Sequence, residues 1–200
     1  MNSPQLSLSR RLRKSPFETR SHVGATSASV YNHVVLPTVY ESLEADYWHL
    51  REHVQIWDVA CQVQVEVRGP DALKFVEFLT PRDVSKCVPG QCIYAPLLDE
   101  HAGVVNDPII LCLSTDRYWL SISDSDVLLW AKGLAVGGGF DVEVHDPDVF
   151  PLSLQGPKSE TLLSNICYGC IVQTQAPTDN VGAIPSAKYT NSRTTLCKII

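Results

Sequence analysis

Residues 62–79 read QVQVEVRGPDALKFVEFL, and they hold the strand–turn–helix unit from which the fold can be worked out. Three valines alternate with polar residues, which is the period-two pattern of a strand with one buried face. Gly69 ends the alternation, and Pro70 suits the first turn of a helix, where its missing N–H is not needed. The apolar residues that follow recur at helical spacing. This stretch therefore predicts a half-buried strand and an amphipathic helix joined by a tight turn.

The same two patterns continue on both sides of this unit. β-Branched, apolar or alternating runs predict strands at residues 30–36, 92–98, 103–113, 117–123, 140–144 and 149–154. Helical spacing predicts helices at residues 41–53, 125–135 and 157–166. Asp124 or Ser125 can cap the second of these helices, and the glycines at 137–139 end it. Because strand pairs alternate with single helices, the sequence predicts an α+β fold with a mixed, largely antiparallel sheet and flanking helices.

The composition is that of a globular protein, since 44% of the 200 residues are hydrophobic and 19% are charged. No run approaches the ~18 apolar residues that span a bilayer, so we expect no membrane partner. The formal net charge is −6, and an acidic protein is a poor partner for nucleic acid. The first twenty residues are basic and rich in serine and arginine, a composition that also suits a transit peptide. The seven cysteines include a C-x-x-C at Cys167 and Cys170, and we interpret all of them as reduced thiols of a cytoplasmic protein.

The character of the chain changes near residue 166. The segment 166–200 is rich in serine, threonine and asparagine and shows neither sustained alternation nor helical spacing. We therefore expect residues 1–165 to form the folded domain and residues 166–200 to be a divergent, irregular tail.

His49, Glu52 and His53 match the pattern H-x-x-E-H of inverted zinc peptidases. Two histidines four residues apart share one helix face, and a glutamate one turn away can serve as a general base. The sequence offers no third ligand at a suitable distance downstream. We therefore favour an exposed helix face with two incidental histidines and predict no metal site, and a zinc peptidase stays open as an alternative.

Asn106 and Asp107 interrupt the apolar run GVVNDPIILCL, and Pro108 removes a donor from the strand ladder. An amide and a carboxylate in such a run cost free energy unless they are hydrogen-bonded or used by a ligand. Two interpretations follow: a solvated turn between short strands, or a carboxylate in a pocket that can hold a basic nitrogen or move its proton. The segments 92–98 and 103–113 are predicted to form a hairpin, which can bring the ring of Tyr94 near Asp107. A ring face beside a carboxylate is a cradle for a small cation.

Several longer motifs together resemble one family. The stretches LREHVQIWDV at 50–59, GVVNDPI at 103–109 and LQGP at 154–157 resemble, in order and spacing, segments of the glycine-cleavage T-protein (aminomethyltransferase) family. The match is closer to its dimethylsulfoniopropionate demethylase branch, whose counterparts here include VYNHVVLPT, TPRD, GQCIY, NDP and YWLSISDSDVLLWAKGLA. The resemblance covers about residues 6–165, which makes the basic arm part of the family sequence rather than a transit peptide.

This resemblance implies a tetrahydrofolate-dependent methyltransferase that passes a methyl group from a small sulfonium, such as dimethylsulfoniopropionate, to tetrahydrofolate. By position, Asp107 matches the functional aspartate beside the folate nitrogen, and Tyr94 matches an aromatic residue of the donor pocket. Asn106 stands where aminomethyltransferases have a first aspartate, and it is expected beside Asp107 in the cofactor site.

The resemblance also implies that residues 1–165 are the N-terminal part of a folate-binding domain. Family members are close to twice this length, so we expect a truncated member whose oligomeric state the sequence leaves open. The alternatives are a glycine-cleavage-type aminomethyltransferase and a non-catalytic folate-binding remnant.

Overall fold

A computed structural model describes residues 11–166 and 197–199, which contain five helices and twelve strands. In chain order the elements are α1 (Glu18–Ser21), β1 (Ser27–Tyr31), β2 (Val34–Val39), α2 (Leu43–Glu52), β3 (Gln55–Asp58), β4 (Gln64–Arg68), α3 (Ala72–Leu79), β5 (Cys92–Tyr94), β6 (Leu97–Leu98), β7 (Val104–Asn106), β8 (Ile109–Ser114), β9 (Arg117–Ser121), α4 (Val127–Gly138), β10 (Glu143–His145), β11 (Leu152–Gln155), α5 (Ser159–Ile166) and β12 (Cys197–Ile199).

The main sheet has five strands in the order β10-β4-β9-β8-β5, and every neighbouring pair is antiparallel. Valines 65 and 67 of β4 lie in one buried core with Leu120 of β9, Phe75 of α3 and Ala131 of α4. A smaller sheet has the order β12-β11-β3, in which the β11–β12 pair is parallel. The prediction of an α+β fold with a mixed, largely antiparallel sheet is therefore confirmed.

Strand β4 differs from its prediction because both of its faces are buried. The alternating pattern predicts that Gln64 and Glu66 lie in solvent, yet they are 2% and 1% exposed. The charge of Glu66 is tolerated inside because Arg117 and Trp119 on the neighbouring strand β9 donate hydrogen bonds to it. The alternation thus shows that a polar residue lies on the face opposite the valines, but it does not show that this face is exposed to solvent.

The single strand predicted at 30–36 is wrong, because the chain reverses at Asn32 and His33. Both residues have positive φ, 45° and 64°, and Tyr31 pairs with Val34 across the two-residue loop. These values define a type I′ turn, and asparagine is a residue that tolerates the left-handed region there. The segment is therefore a hairpin of β1 and β2.

The hairpin predicted from 92–98 and 103–113 forms in two offset parts. Strand β6 pairs with β7, and β5 pairs with β8. The N–H of Ala95 still donates to the carbonyl oxygen of Pro108 at 3.1 Å, but the ladder is interrupted at Pro96 on one side and between Asp107 and Pro108 on the other, because proline has no N–H to donate. Asp107 therefore lies at a break between two strands.

The two stretches LREHV and LQGP pack directly on each other. Gly156 has a φ of +116°, and a Cβ there would clash with the carbonyl oxygen of His53 at the end of α2. The same carbonyl accepts a hydrogen bond of 3.2 Å from the backbone N–H of Lys158. The glycine between Gln155 and Pro157 is thus required by the close approach of two backbones.

The glycines at 137–139 end α4 as predicted, with Gly139 at a φ of 65°. The capping prediction is wrong, because Asp126 occupies the N-cap position and makes no side-chain capping bond. The side chains of Asp124 and Ser125 instead bond to the hairpin turn and to the strand end described below.

Most of the segment 166–200, with Cys167 and Cys170, lies outside the described residues. Within that segment, for which we expect irregular structure, Cys197–Ile199 form β12. No helix within the described ranges is long and apolar enough to cross a membrane.

Candidate functional site

Asp107 and Tyr94 meet at the break between β7 and β8. Tyr94 ends β5 and pairs with Ile109, so the register carries its ring alongside the turn that presents Asp107. The Tyr94 hydroxyl donates a hydrogen bond of 3.2 Å to Oδ2 of Asp107. Both side chains are exposed, and 50% of Tyr94 is accessible. The structure thus brings together two side chains that the sequence singles out.

A serine that the sequence analysis did not select holds the other oxygen of this carboxylate. Ser123 follows β9, and its Oγ donates a hydrogen bond of 2.8 Å to Oδ1 of Asp107. A carboxylate has about four lone-pair directions, and the side chains of the described residues use two of those of Asp107. Asp107 therefore remains able to accept a hydrogen bond from a ligand.

Asn106 lies next to Asp107 in the chain but faces the interior, where it is 4% exposed. Its Nδ2 donates to Oγ of Ser125 at 2.8 Å, and its Oδ1 accepts from the backbone N–H of Ser123 at 3.0 Å. Protein groups thus use both ends of the amide. Asn106 joins the strand end to the following loop, while Asp107 is the residue that faces outward.

The charge of Asp107 affects the phenol beside it. Desolvation, the negative charge of Asp107 and the hydrogen bond to Asp107 raise the pKa of Tyr94 above its usual value. The phenol therefore stays neutral at physiological pH and acts as a hydrogen-bond donor to Asp107.

The loop 123–126 is held from its far side by the hairpin turn. The backbone N–H of Asp124 donates to the hydroxyl of Tyr31 at 3.0 Å, and Oδ1 of Asp124 accepts from the backbone N–H of Asn32 at 2.8 Å. His33 Nε2 lies 3.3 Å from Oδ1 of Asp126. The signal that could have identified this loop is the polar run SDSD directly after an apolar strand.

His49 and His53 lie on one face of α2 with their ring centroids 5.0 Å apart. Nδ1 of His53 lies 2.6 Å from Nζ of Lys158, and Glu52 is exposed. Among the residues that the structure describes, no three His, Cys, Asp or Glu side chains are grouped so that they could hold a metal ion. The zinc-peptidase alternative therefore gains no third ligand from this part of the chain.

Fold and site together define an α+β domain that presents a carboxylate and a phenol at the exposed end of an antiparallel sheet, an arrangement suited to a small cationic or N–H-bearing ligand. The chain matches the family model of the GCVT N-terminal domain over residues 17–182. It belongs to this family, as the resemblance of its motifs predicts. The match extends past residue 165, at which the sequence predicts the folded domain to end.

Two curated relatives illustrate the relationship. The chain is 46% identical over 159 residues to dimethylsulfoniopropionate demethylase DmdA from Ruegeria pomeroyi, an alignment that covers 79% of this chain and 44% of the relative. It is 32% identical over 136 residues to an aminomethyltransferase from Bacillus subtilis, covering 66% of this chain and 37% of that protein. The chain thus spans less than half the length of these relatives.

Among solved structures, the glycine cleavage system aminomethyltransferase T from Bartonella henselae superposes with a TM-score of 0.70. The match covers 77% of this chain and 43% of the other at 24% sequence identity, and it shows a shared fold.

Proposed function

We propose that this chain carries the Asp107 site of a tetrahydrofolate-dependent methyltransferase that demethylates a small sulfonium such as dimethylsulfoniopropionate. The observation that carries the proposal is the Asp107 carboxylate, exposed and hydrogen-bonded to the half-exposed Tyr94, in a chain 46% identical to a dimethylsulfoniopropionate demethylase. Asn106 supports the same branch, because the aminomethyltransferases of the family resemblance carry an aspartate there.

The hydrogen-bond acceptors of Asp107 fit tetrahydrofolate. Each carboxylate oxygen receives one neutral hydroxyl and keeps a lone pair for an N–H donor. The half-exposed ring of Tyr94 offers a face to a methyl-bearing cation. When bound, tetrahydrofolate supplies the nitrogen that takes the methyl group, while the sulfonium carbon–sulfur bond breaks and its electron pair stays on sulfur.

In this proposal the residues of the chain act mainly by positioning. A displacement at carbon needs the two reactants in line, and correct placement alone lowers its barrier substantially. Asp107 orients the cofactor through an accepted hydrogen bond and can take up the proton that the nitrogen loses. Tyr94 stays neutral because its pKa is raised, so it adds no second negative charge beside Asp107.

The test compares Asp107→Ala with Asp116→Ala. Asp116 is a matched control, since it also accepts a serine hydroxyl, from Ser114, but at the far end of the sheet. Tetrahydrofolate binding is measured by calorimetry, and 5-methyltetrahydrofolate formation from dimethylsulfoniopropionate by chromatography. We expect saturable binding that weakens about tenfold or more in Asp107→Ala, as for a lost hydrogen bond to a charged group, and is unchanged in Asp116→Ala.

Each remaining outcome decides between functions. Turnover with an aminomethyl donor in place of the sulfonium would assign the chain to the aminomethyltransferase activity. Binding without turnover from either donor would make the chain a folate-binding module. Absence of saturable binding by the unmutated chain would overturn the proposal.

A further inference from the structure

We propose that Ser123 is a positioning residue, which fixes the direction in which the Asp107 carboxylate faces its ligand. The identity of this ligand, tetrahydrofolate, rests on the proposed function. The positioning of Asp107 by Ser123 rests on contacts within the protein. Nothing in the sequence motifs assigns a role to Ser123.

Ser123 holds two consecutive side chains at once. Its backbone N–H donates to Oδ1 of Asn106 at 3.0 Å, and its hydroxyl donates to Oδ1 of Asp107 at 2.8 Å. Asn106 is buried and Asp107 is exposed. One residue therefore ties the exposed carboxylate to a fixed point in the interior.

Asp107 needs such a restraint because it is exposed and lies between strands. An exposed carboxylate samples several rotamers, and choosing one of them costs conformational entropy on binding. In the described part of the chain, Tyr94 also donates to Asp107, but it is itself half exposed and acts across the longer distance of 3.2 Å. The hydrogen bond from Ser123 is shorter and comes from a loop that is itself held by hydrogen bonds, so it is the stronger restraint on the Asp107 side chain.

The loop that carries Ser123 is fixed at several points. The hydroxyl of Ser125 accepts from Asn106 and donates to the carbonyl oxygen of Val105 at 3.3 Å. Asp124 is bonded to the hairpin turn, whose Asn32 side chain donates to the buried carbonyl oxygen of Cys61 at 2.9 Å. The position of the Ser123 hydroxyl is thus set by groups that do not touch the carboxylate.

The test uses Ser123→Ala, the hydroxyl-retaining variant Ser123→Thr and the matched control Ser114→Ala. Ser114 donates its hydroxyl to Asp116 in the same type of bond, outside the candidate site. The first readout needs no ligand: tyrosine labelled with ¹³C at Cζ is titrated by NMR, and the Tyr94 signal is assigned with Tyr94→Phe. The second readout is the dissociation constant for tetrahydrofolate.

We expect Ser123→Ala to lower the pKa of Tyr94, because a freely rotating carboxylate spends less time bonded to the phenol. Ser123→Thr should restore the parent titration, and Ser114→Ala should not change it. Tetrahydrofolate should bind roughly fivefold more weakly to Ser123→Ala, as for one neutral hydrogen bond.

The two readouts separate the failure of this inference from that of the proposed function. If Ser123→Ala lowers the Tyr94 pKa and the unmutated chain does not bind tetrahydrofolate, the positioning role stands and the proposed function fails. If the Tyr94 pKa is unchanged or rises in Ser123→Ala, or if Ser123→Thr behaves like Ser123→Ala, the positioning role is overturned.

Discussion

Two carboxylates of this domain, Glu66 and Asp107, differ in what satisfies their charge. Glu66 lies in the middle of β4, is 1% exposed, and accepts two hydrogen bonds from Arg117 and one from Trp119. Asp107 lies at a strand break, is exposed, and accepts two neutral hydroxyls. A buried carboxylate paired with a guanidinium has its charge compensated within the protein, so that removing one partner is costly, whereas the neutral hydroxyls on Asp107 leave its charge available to a ligand.

The charge of Glu66 is compensated mainly at one oxygen, since all three hydrogen bonds end on Oε2 and no described residue donates one to Oε1. Burial acts to raise the pKa of Glu66, but the hydrogen bonds from Arg117 and Trp119 and the charges of Arg117 and His145 outweigh burial and lower it. His145 of β10 contributes because the register places it opposite Glu66, with Nε2 3.5 Å from Oε1. Glu66 therefore stays ionised in the folded protein.

The largest expected difference between the two regions is in stability. Glu66→Ala should lower the free energy of unfolding by about 3 kcal/mol, the lower end of what a broken buried ion pair costs, because Arg117 is 47% exposed and can regain water. Asp107→Ala should change it by less than about 0.5 kcal/mol, as is usual for a surface substitution. Urea unfolding followed by tryptophan fluorescence measures both. Equal losses of unfolding free energy in the two variants would contradict the different roles assigned to Glu66 and Asp107.

A smaller effect is expected from the aromatic donors. Trp119→Phe removes the indole N–H from the buried carboxylate and should cost about 2 kcal/mol, as for a hydrogen bond to a charged group. Tyr94→Phe removes the phenol O–H from the exposed carboxylate, which water can replace, and should cost less than about 0.5 kcal/mol. Urea unfolding measures both losses of stability. As a control, the dependence of the unfolding free energy on urea concentration should be the same in both variants and the parent. A loss in Tyr94→Phe as large as that in Trp119→Phe would contradict this assignment.

The smallest effect is in the pH dependence. Because the folded pKa of Glu66 lies below its unfolded value, its contribution to stability is present above the unfolded pKa and is lost as the pH falls through the folded pKa. Between about pH 6 and pH 3, the parent protein should therefore lose more stability than Glu66→Gln. Glu18→Gln, which breaks the pair with Lys14 on α1, away from Glu66, serves as control, and its stability should depend on pH as in the parent. If the unfolding free energy of Glu66→Gln fell with pH as steeply as that of the parent, Glu66 would not be the group responsible.

The predictions from sequence succeeded where a pattern is local and regular. The helices at 41–53 and 157–166 and the glycine stop of α4 follow from spacing and composition within a few residues. The hairpin at Asn32 and His33 was missed because two residues of positive φ leave little trace inside an apolar, β-branched run. The two predicted caps, Asp124 and Ser125, were wrong because a partner distant in sequence competes for the same oxygen atoms.

In the candidate site, too, some residues could be identified from local sequence and others only from the structure. Asp107 stands out in the sequence because a carboxylate is costly in an apolar run, and Tyr94 because a hairpin can bring it near. Ser123 does not stand out, since a serine after a strand is ordinary and its role depends on a bond across sixteen positions.

The sequence by itself determined the class of fold and the family, because these rest on periodicity and on contiguous motifs. It also indicated that Pro108 removes a ladder donor beside Asp107, but it predicted one strand over 103–113 where the structure has two. Only the tertiary structure decided which carboxylate is buried and which is open. The alternation at 62–68 predicts Glu66 in solvent, and the apolar run at 103–113 leaves Asp107 either solvated or in a pocket, so the sequence does not identify the buried carboxylate. Cross-strand register gave Glu66 a guanidinium and an indole and gave Asp107 two hydroxyls, and such pairings form only when the strands assemble.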